Sequence, residues 1–342
     1  MENQAIRLTA PELSSLWTQY MFETMSICFF KYALEHIEDK EILEIIQTAL
    51  DISEGHVQQI KTFLQGENYP IPKGFTEEDV NVKAPRLFQD PFYLYYLYIM
   101  TLQGLTGYAL SVGTSIRADL RTYYITCNTE TMKLFETIMD ALLSKGLFSR
   151  PPVISPPEKN DFVKHQSFLS GWFGERRPLT AMEIGDITYN MNKMNMHVAL
   201  KLAFGQVASS DKVQKYFTRG MEISNKHLGI FQQIFNEEKL NSPVSWQSLV
   251  TDSTVSPFSD KVMMYQIQLS TQVAIAFYGA ALSVTSRRDL ALQYGMLTAE
   301  LAKYGEDGAN LMIEKEWLEE PPRATDRRAL SKGNVDGQGR NE

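Results

Sequence analysis

From Trp17 to Leu34 large apolar residues recur at helical spacing, and after a short polar break at Glu38-Asp39-Lys40 the period resumes, which predicts two helices joined by a turn. Thr9 with Glu12 three residues later reads as a capping box: the hydroxyl accepts an orphan N–H of the first turn, and the carboxylate reaches back to the cap residue. The second helix ends near Gly66. Pro70, Pro72 and Gly74 then break the pattern over roughly twenty residues, longer than most connections between packed helices. A third helix is expected from about Pro91 to Ile116, and a fourth from about Thr129 to Leu147.

The pattern occurs twice. A displacement of 171 positions lays Leu8-Thr9-Ala10-x-Glu12 on Leu179-Thr180-Ala181-x-Glu183, Ile52-Ser53-x-x-His56 on Ile223-Ser224-x-x-His227, and Pro72 on Pro243. Further on, Ala109-Leu110-Ser111-Val112 matches Ala281-Leu282-Ser283-Val284. A two-residue deletion then brings Asp119 onto Asp289, Tyr124 onto Tyr294 and Pro151-Pro152 onto Pro321-Pro322. The second copy turns at Ser209-Ser210-Asp211, and its last two helices are expected from Val262 to Ser286 and from Arg288 to Leu318. Polarity is kept while identities diverge, as one retained packing solution would allow.

Two antiparallel helices, one long connection and two more antiparallel helices describe a four-helix bundle of the ferritin-like type; a cytokine-like bundle would need two long crossovers. The expected fold is all-α, with two tandem ferritin-like four-helix bundles at residues 8–148 and 179–322. Between them, residues 149–178 open on Pro151, Pro152, Pro156 and Pro157 and form a linker. Phe162, Phe168, Leu169, Trp172 and Phe173 give that linker enough apolar area to pack onto a bundle or into the cleft between bundles. The polar, Gly-rich residues 323–342 are expected to form a disordered tail. Arg117-x-Asp119 and Arg287-Arg288-Asp289 occupy matching positions between third and fourth helices, where the cation can meet helix C-terminal carbonyls and the Asp can cap the next helix.

Composition narrows the function classes. The 342 residues suit two domains, and 44% hydrophobic with 22% charged residues is ordinary for a soluble globular chain. A net charge of −8 argues against nucleic acid as a partner. The N-terminus carries no basic cluster followed by an apolar core, and Cys28 and Cys127 are too few for a disulfide scaffold, so an intracellular, cytoplasmic location is expected. Phosphate-binding glycine loops, Cys-x-x-Cys, Gly-x-Ser-x-Gly and His-Glu-x-x-His do not occur.

The run Phe168-Leu-Ser-Gly-Trp172-Phe-Gly-Glu-Arg-Arg-Pro178-Leu-Thr sits between two copies that each begin Leu-Thr and carry Ser-x-x-His. In this the chain resembles the uncharacterised tandem ferritin-like proteins of spore-forming bacteria, which are distantly related to a spore coat protein family. The resemblance spans residues 8–322. It implies paired four-helix bundles and an association with the spore or forespore, but no demonstrated activity.

A ferritin-like di-iron site needs a carboxylate from each of two helices and a Glu-x-x-His pair from each of the others. Here Ser53 and Ser224 stand where those glutamates would precede His56 and His227. The fourth helices carry no histidine, and the third carry no Asp, Glu, Lys, Arg or His from Pro91 to Ile116 or from Val262 to Ser286. A smaller site is conceivable from Glu23, Asp51, His56 and Glu136 in the first copy, with His197, Glu222 and His227 in the second. Iron, manganese and zinc are the cations such a set would take. Against it stands the favoured structural reading: duplicated histidines hydrogen-bonded to a neighbouring carboxylate or carbonyl within the core.

The charge-free third helices admit three readings. A transmembrane span is disfavoured, because tyrosines, glutamines and threonines dilute both stretches and neither has basic flanks. A ligand pocket lined by tyrosines is open. The favoured account encloses these helices on all sides where the two bundles meet. The sequence thus points to a non-enzymatic structural or interaction protein with a protein partner or self-association; the alternative is a metal-binding protein or oxidase with a degenerate site in the bundle core.

Overall fold

The computed structural model describes residues 7–172 and 176–331, and the chain runs through eight helices of 25 or 27 residues. They are α1 (Ala10–Leu34), α2 (Lys40–Gly66), α3 (Asp90–Thr114) and α4 (Ala118–Ser144), then α5 (Ala181–Val207), α6 (Asp211–Glu237), α7 (Asp260–Val284) and α8 (Arg288–Glu314). Within each half the first two helices pair, the last two pair, and a long crossover joins the pairs. Two repeated helical bundles result, and among the described residues no strand forms beyond isolated bridges.

Both capping boxes are present, Thr9 with Glu12 and Thr180 with Glu183. Each carboxylate does more than cap. Glu12 Oε1 also accepts the backbone N–H groups of Ile116 and Arg117, at 2.8 Å each, so the start of α1 is tied to the α3–α4 turn. Glu183 receives Arg287 N–H at 3.2 Å in the same way. Asp119 and Asp289 do not cap their helices. They pair instead with Arg117 and Arg287, whose guanidinium groups also reach Glu67 and Glu238 at the far ends of α2 and α6. Arg121 is the cation that meets the α3 C-terminal carbonyls, those of Ser115 and Ile116.

Two expected boundaries move. Helix α4 starts at Ala118 rather than Thr129, because the run Thr122-Tyr-Tyr-Ile-Thr126 is poor in helix formers yet buries Leu120, Tyr124 and Cys127 on one face, and packing overrides propensity. The register of the repeat also changes. Lys40 and Asp211 open α2 and α6 171 positions apart, but Asp90 and Asp260 open α3 and α7 170 positions apart, and both of the latter helices are 25 residues long. One residue is therefore lost in the crossover. The Ala-Leu-Ser-Val match lies outside this register, and Tyr108 corresponds to Tyr278.

The two bundles share one apolar core. Phe29 of α1 stacks on Tyr96 of α3 (centroids 4.7 Å, 9°) and on Phe258 (4.5 Å, 11°), and meets Phe204 of α5 edge-on. Tyr96 donates its hydroxyl hydrogen to Gln266 Oε1 of α7 at 2.9 Å, and the crossovers pair with each other at Val80–Phe258 and Phe88–Val250. The third helices thus contribute to the contact, but only in part. Every residue from Phe92 to Thr101 is buried, whereas in the last turns of α3 and α7 Leu110 is 68% exposed, Leu282 38% and Val284 43%. Enclosure on all sides holds for the first halves alone. Among the described residues α7 is long and apolar enough to cross a membrane, yet its first half lies inside this protein core.

In the linker, Phe168 lies under the Arg177 guanidinium at 4.1 Å while Phe162 is 91% exposed, so the expected packing extends to Phe168 and the half-buried Leu169 but not to Phe162. Trp172 is more than half exposed, and Phe173 falls outside the described residues. Of the expected tail, Arg327–Ser331 is a short helix, α9, and residues 332–342 fall outside the described residues.

Candidate functional site

His56 projects from α2 into the centre of the first bundle because Ser53, His56, Val57 and Ile60 form the inward stripe of an amphipathic helix. Both ring nitrogens are engaged. Nδ1 meets Glu23 Oε1 of α1 at 2.7 Å, and Nε2 meets Glu130 Oε2 of α4 at 3.1 Å. Tyr108 of α3 donates to the same Glu23 oxygen at 2.8 Å, and Gln19 Nε2 lies 3.4 Å from it and 3.7 Å from Cys127 Sγ. Each of the four helices supplies a member. Burial raises the Glu23 carboxyl, but the hydrogen bond and charge of His56, with Ser53 and Tyr108, more than offset it and leave Glu23 below its usual range. Burial likewise opposes the His56 cation, yet the contacts with Cys127 and Glu23 and the Glu23 charge push it up to about 11. The centre is a buried ion pair with one partly exposed outlet, Glu130. A cavity of about 50 Å³ adjoins it, lined by Glu23, Ser26, His56, Tyr108 and apolar neighbours.

The second bundle keeps the histidine and inverts its chemistry. His227 Nδ1 is 3.2 Å from the Tyr278 hydroxyl and Nε2 is 2.9 Å from Glu300 Oε2, so Tyr108 and Glu130 have direct counterparts. The counterpart of Glu23 is Met194. Burial, incompletely offset by Glu300, leaves His227 below its ordinary value and hence neutral at pH 7. Beside it α5 places Lys193, His197 and Lys201 at successive four-residue intervals, all 1% exposed, where α1 has Phe22, Ser26 and Phe30. Lys201 donates to Ser224 Oγ at 2.9 Å, and burial pulls it down to about 7. Lys193 Nζ has no hydrogen-bond partner and rests on the rings of Phe277 (3.6 Å) and Tyr189 (4.3 Å). Burial, reinforced by the charges of Lys201 and Lys193, holds His197 well below its usual value.

A family model described as "Protein of unknown function (DUF3231)" matches residues 1–159 and again residues 167–330. The chain belongs to the DUF3231 family. The two matches fall on the two bundles, so the family unit is a single bundle used twice. A solved structure from Bacillus halodurans, described as a "putative spore coat protein", is similar over 45% of this chain and 99% of its own, at 20% identity and a TM-score of 0.41. None of the curated proteins compared with the chain matches it.

Within this DUF3231 chain the expected ligand set is only partly assembled. Glu23 and His56 meet; Asp51 faces solvent on α2, hydrogen-bonded to Gln47, and Glu136 is exposed on α4. His197 is enclosed between two lysines, Glu222 is exposed on α6, and His227 bonds to Glu300 instead. Among the described residues, those a di-metal cluster needs are not brought together. Glu23 and Glu130 meet opposite ring nitrogens of His56, and in the second centre Lys193, His197 and Lys201 stand where a cation would need carboxylates. Among the described residues no group of three or more His, Cys, Asp or Glu is arranged to hold a metal ion. The sequence reading missed Tyr278, Glu130 and Glu300 as histidine partners and Tyr108 as the partner of Glu23. A uniform register of 170 over the third and fourth helices would have shown Tyr and Glu recurring as pairs.

Proposed function

We propose that the protein is a non-enzymatic, ferritin-like structural or interaction component that self-associates or docks a protein partner through the last turns of α3 and α7. Its ferritin-like character is supported by two antiparallel helix pairs joined through one long crossover in each copy. The observation that carries the interaction reading is the exposed apolar surface towards the end of each charge-free third helix, Leu110 on α3 and, at non-equivalent positions, Leu282 and Val284 on α7. A solvated helix end ordinarily carries charge; one without it suits a protein contact. The sequence resemblance described above adds work in the forespore or spore to the same reading. Sedimentation of the purified chain tests it. A self-associated species that Leu110→Glu with Leu282→Glu converts to monomer supports the reading, and a chain that is monomeric and recovers no partner by crosslinking in sporulating cells removes it. The alternative, a metal ion in the first bundle's core, draws on the meeting of Glu23 and His56 there at 2.7 Å. Stoichiometric iron, manganese or zinc in untagged protein, lost on His56→Ala, would favour that alternative.

A further inference from the structure

Beside the ion-paired centre of the first bundle lies a second, larger cleft of about 320 Å³, walled by α1, α3 and α4 and by α7 of the other bundle, and open to solvent past Ser14, Thr18, Gly107 and Leu110. Its apolar wall is Phe22, Leu110, Leu269 and Val273, and its polar members are serines, threonines, glutamines and tyrosines. No Asp, Glu, Lys, Arg or His lines it. Two of those polar side chains are buried and under-bonded. Gln19 is 6% exposed with Oε1 unpartnered, and the Tyr124 hydroxyl, 0% exposed, lies beside the Ser15 hydroxyl on the same wall without a full hydrogen bond. The Gln19 orientation is fixed by chemistry, since its amide nitrogen must face the Glu23 carboxylate and the Tyr108 hydroxyl oxygen, at 3.4 and 3.5 Å. Gln103, on the same cavity, leaves both of its amide atoms unpaired.

Buried polar groups without partners are uncommon and costly, and Gln19 and Gln103 on one cleft, together with the under-bonded Tyr124, call for a ligand that completes them. We propose that this cavity is a binding site for a neutral, mostly apolar small molecule bearing one hydroxyl or primary amide. A hydroxyl satisfies both fully buried groups, donating to Gln19 Oε1 and accepting from Tyr124, while an uncharged lining leaves nothing to offset the desolvation of an ionic ligand. The volume is about twice the ~150 Å³ that admits benzene in an apolar cavity, so a bicyclic body fits. The site belongs to one copy only. At the Phe22 position the second bundle has Lys193, whose stem and ammonium occupy the corresponding ground beside Phe277.

The probe is 2-naphthol, followed by its own fluorescence against the full-length chain, with naphthalene and naphthalene-2-sulfonate as controls. Saturable binding at one site per chain is expected, with the sulfonate bound at least tenfold more weakly. Tyr124→Phe removes a hydroxyl whose neighbour in the fold is the partly exposed Ser15, and it should weaken 2-naphthol by about three- to tenfold, the worth of one hydrogen bond, while leaving naphthalene unchanged. Gly107→Phe on α3 and, from the opposite wall, Val273→Phe on α7 should each abolish binding; either variant that remains helical suffices. Binding undiminished by a folded wall variant, equal affinity for the sulfonate, or no saturable binding at all would each overturn the proposal. Leu110 belongs to both this cleft and the proposed docking surface, so the wall variants are placed at Gly107 and Val273, away from the docking substitutions, and sedimentation of the same variants keeps the two readings distinguishable.

Discussion

His56 and His227 are one residue in two electrostatic settings, and their neighbours decide which way each titrates. With Glu23 at 2.7 Å His56 is a cation in the folded chain, up to about 11, so its contribution to stability is complete below the ordinary histidine value of 6.5 and is lost as pH rises toward 11. Lys201 does the opposite. Held down at about 7 against an ordinary 10.5, it destabilises the fold most below pH 7, and that penalty fades as pH rises to 10.5. Thermal denaturation should therefore show Lys201→Met raising Tm more at pH 6 than at pH 9.5, and a uniform gain at both would refute the assignment. Glu23→Gln should cost about 3 kcal/mol at pH 7, in the range for breaking a buried pair from one side, and should lower the pKa of His56 as read by NMR titration. The histidines and their duplication were legible in the sequence, and so was their hydrogen-bonded character. Their partners were not, because a chance Ala-Leu-Ser-Val match displaced the third helices by two residues and separated Tyr108 from Tyr278.

At the scale of elements, helices α6 and α8 approach so closely that glycine is required. Tyr216 and Tyr304 stack at 4.3 Å and 5°, and each hydroxyl hydrogen-bonds to the other residue's carbonyl oxygen, at 3.1 and 3.2 Å. A Cβ on Gly220 would fall inside the Tyr304 hydroxyl, and one on Gly308 would strike Gln268 and Tyr216. Glycine within a helix ordinarily costs about 0.5–1 kcal/mol relative to alanine. Gly55→Ala on α2 and Gly229→Ala on α6, where a Cβ meets nothing, should accordingly gain about that much in urea denaturation, while Gly220→Ala and Gly308→Ala should lose stability. If all four behave alike, the close approach is not as described. Helix starts at Thr9 and Thr180 could be read from sequence because capping is local chemistry. The start of α4 could not, since Thr122 to Thr126 favour strand locally and only the packing of Leu120, Tyr124 and Cys127 makes them helical.

For the whole molecule, the shared core and the paired crossovers predict that the halves need each other. Cleaving the exposed linker near Glu158 should leave residues 1–158 and 159–342 co-eluting on size exclusion, whereas the first half made alone should aggregate or dimerise, since Phe29 and Tyr96 would lose their cover. A stable monomeric first half would contradict this. Pro151, Pro152, Pro156 and Pro157 show in the sequence where a helix cannot continue; the depth of the contact did not show, because burial by a neighbour half the chain away leaves no periodic trace.

That clasp of one crossover against the other is nearly symmetric, as two identical single-bundle chains could have made it. Identical subunits would be bound to carry the same interior, and a lysine row suited to one would burden both. Covalent fusion lifts that obligation: one interior can stay acid-paired and cavity-bearing while its twin turns basic and filled, so every molecule holds the two in fixed one-to-one proportion.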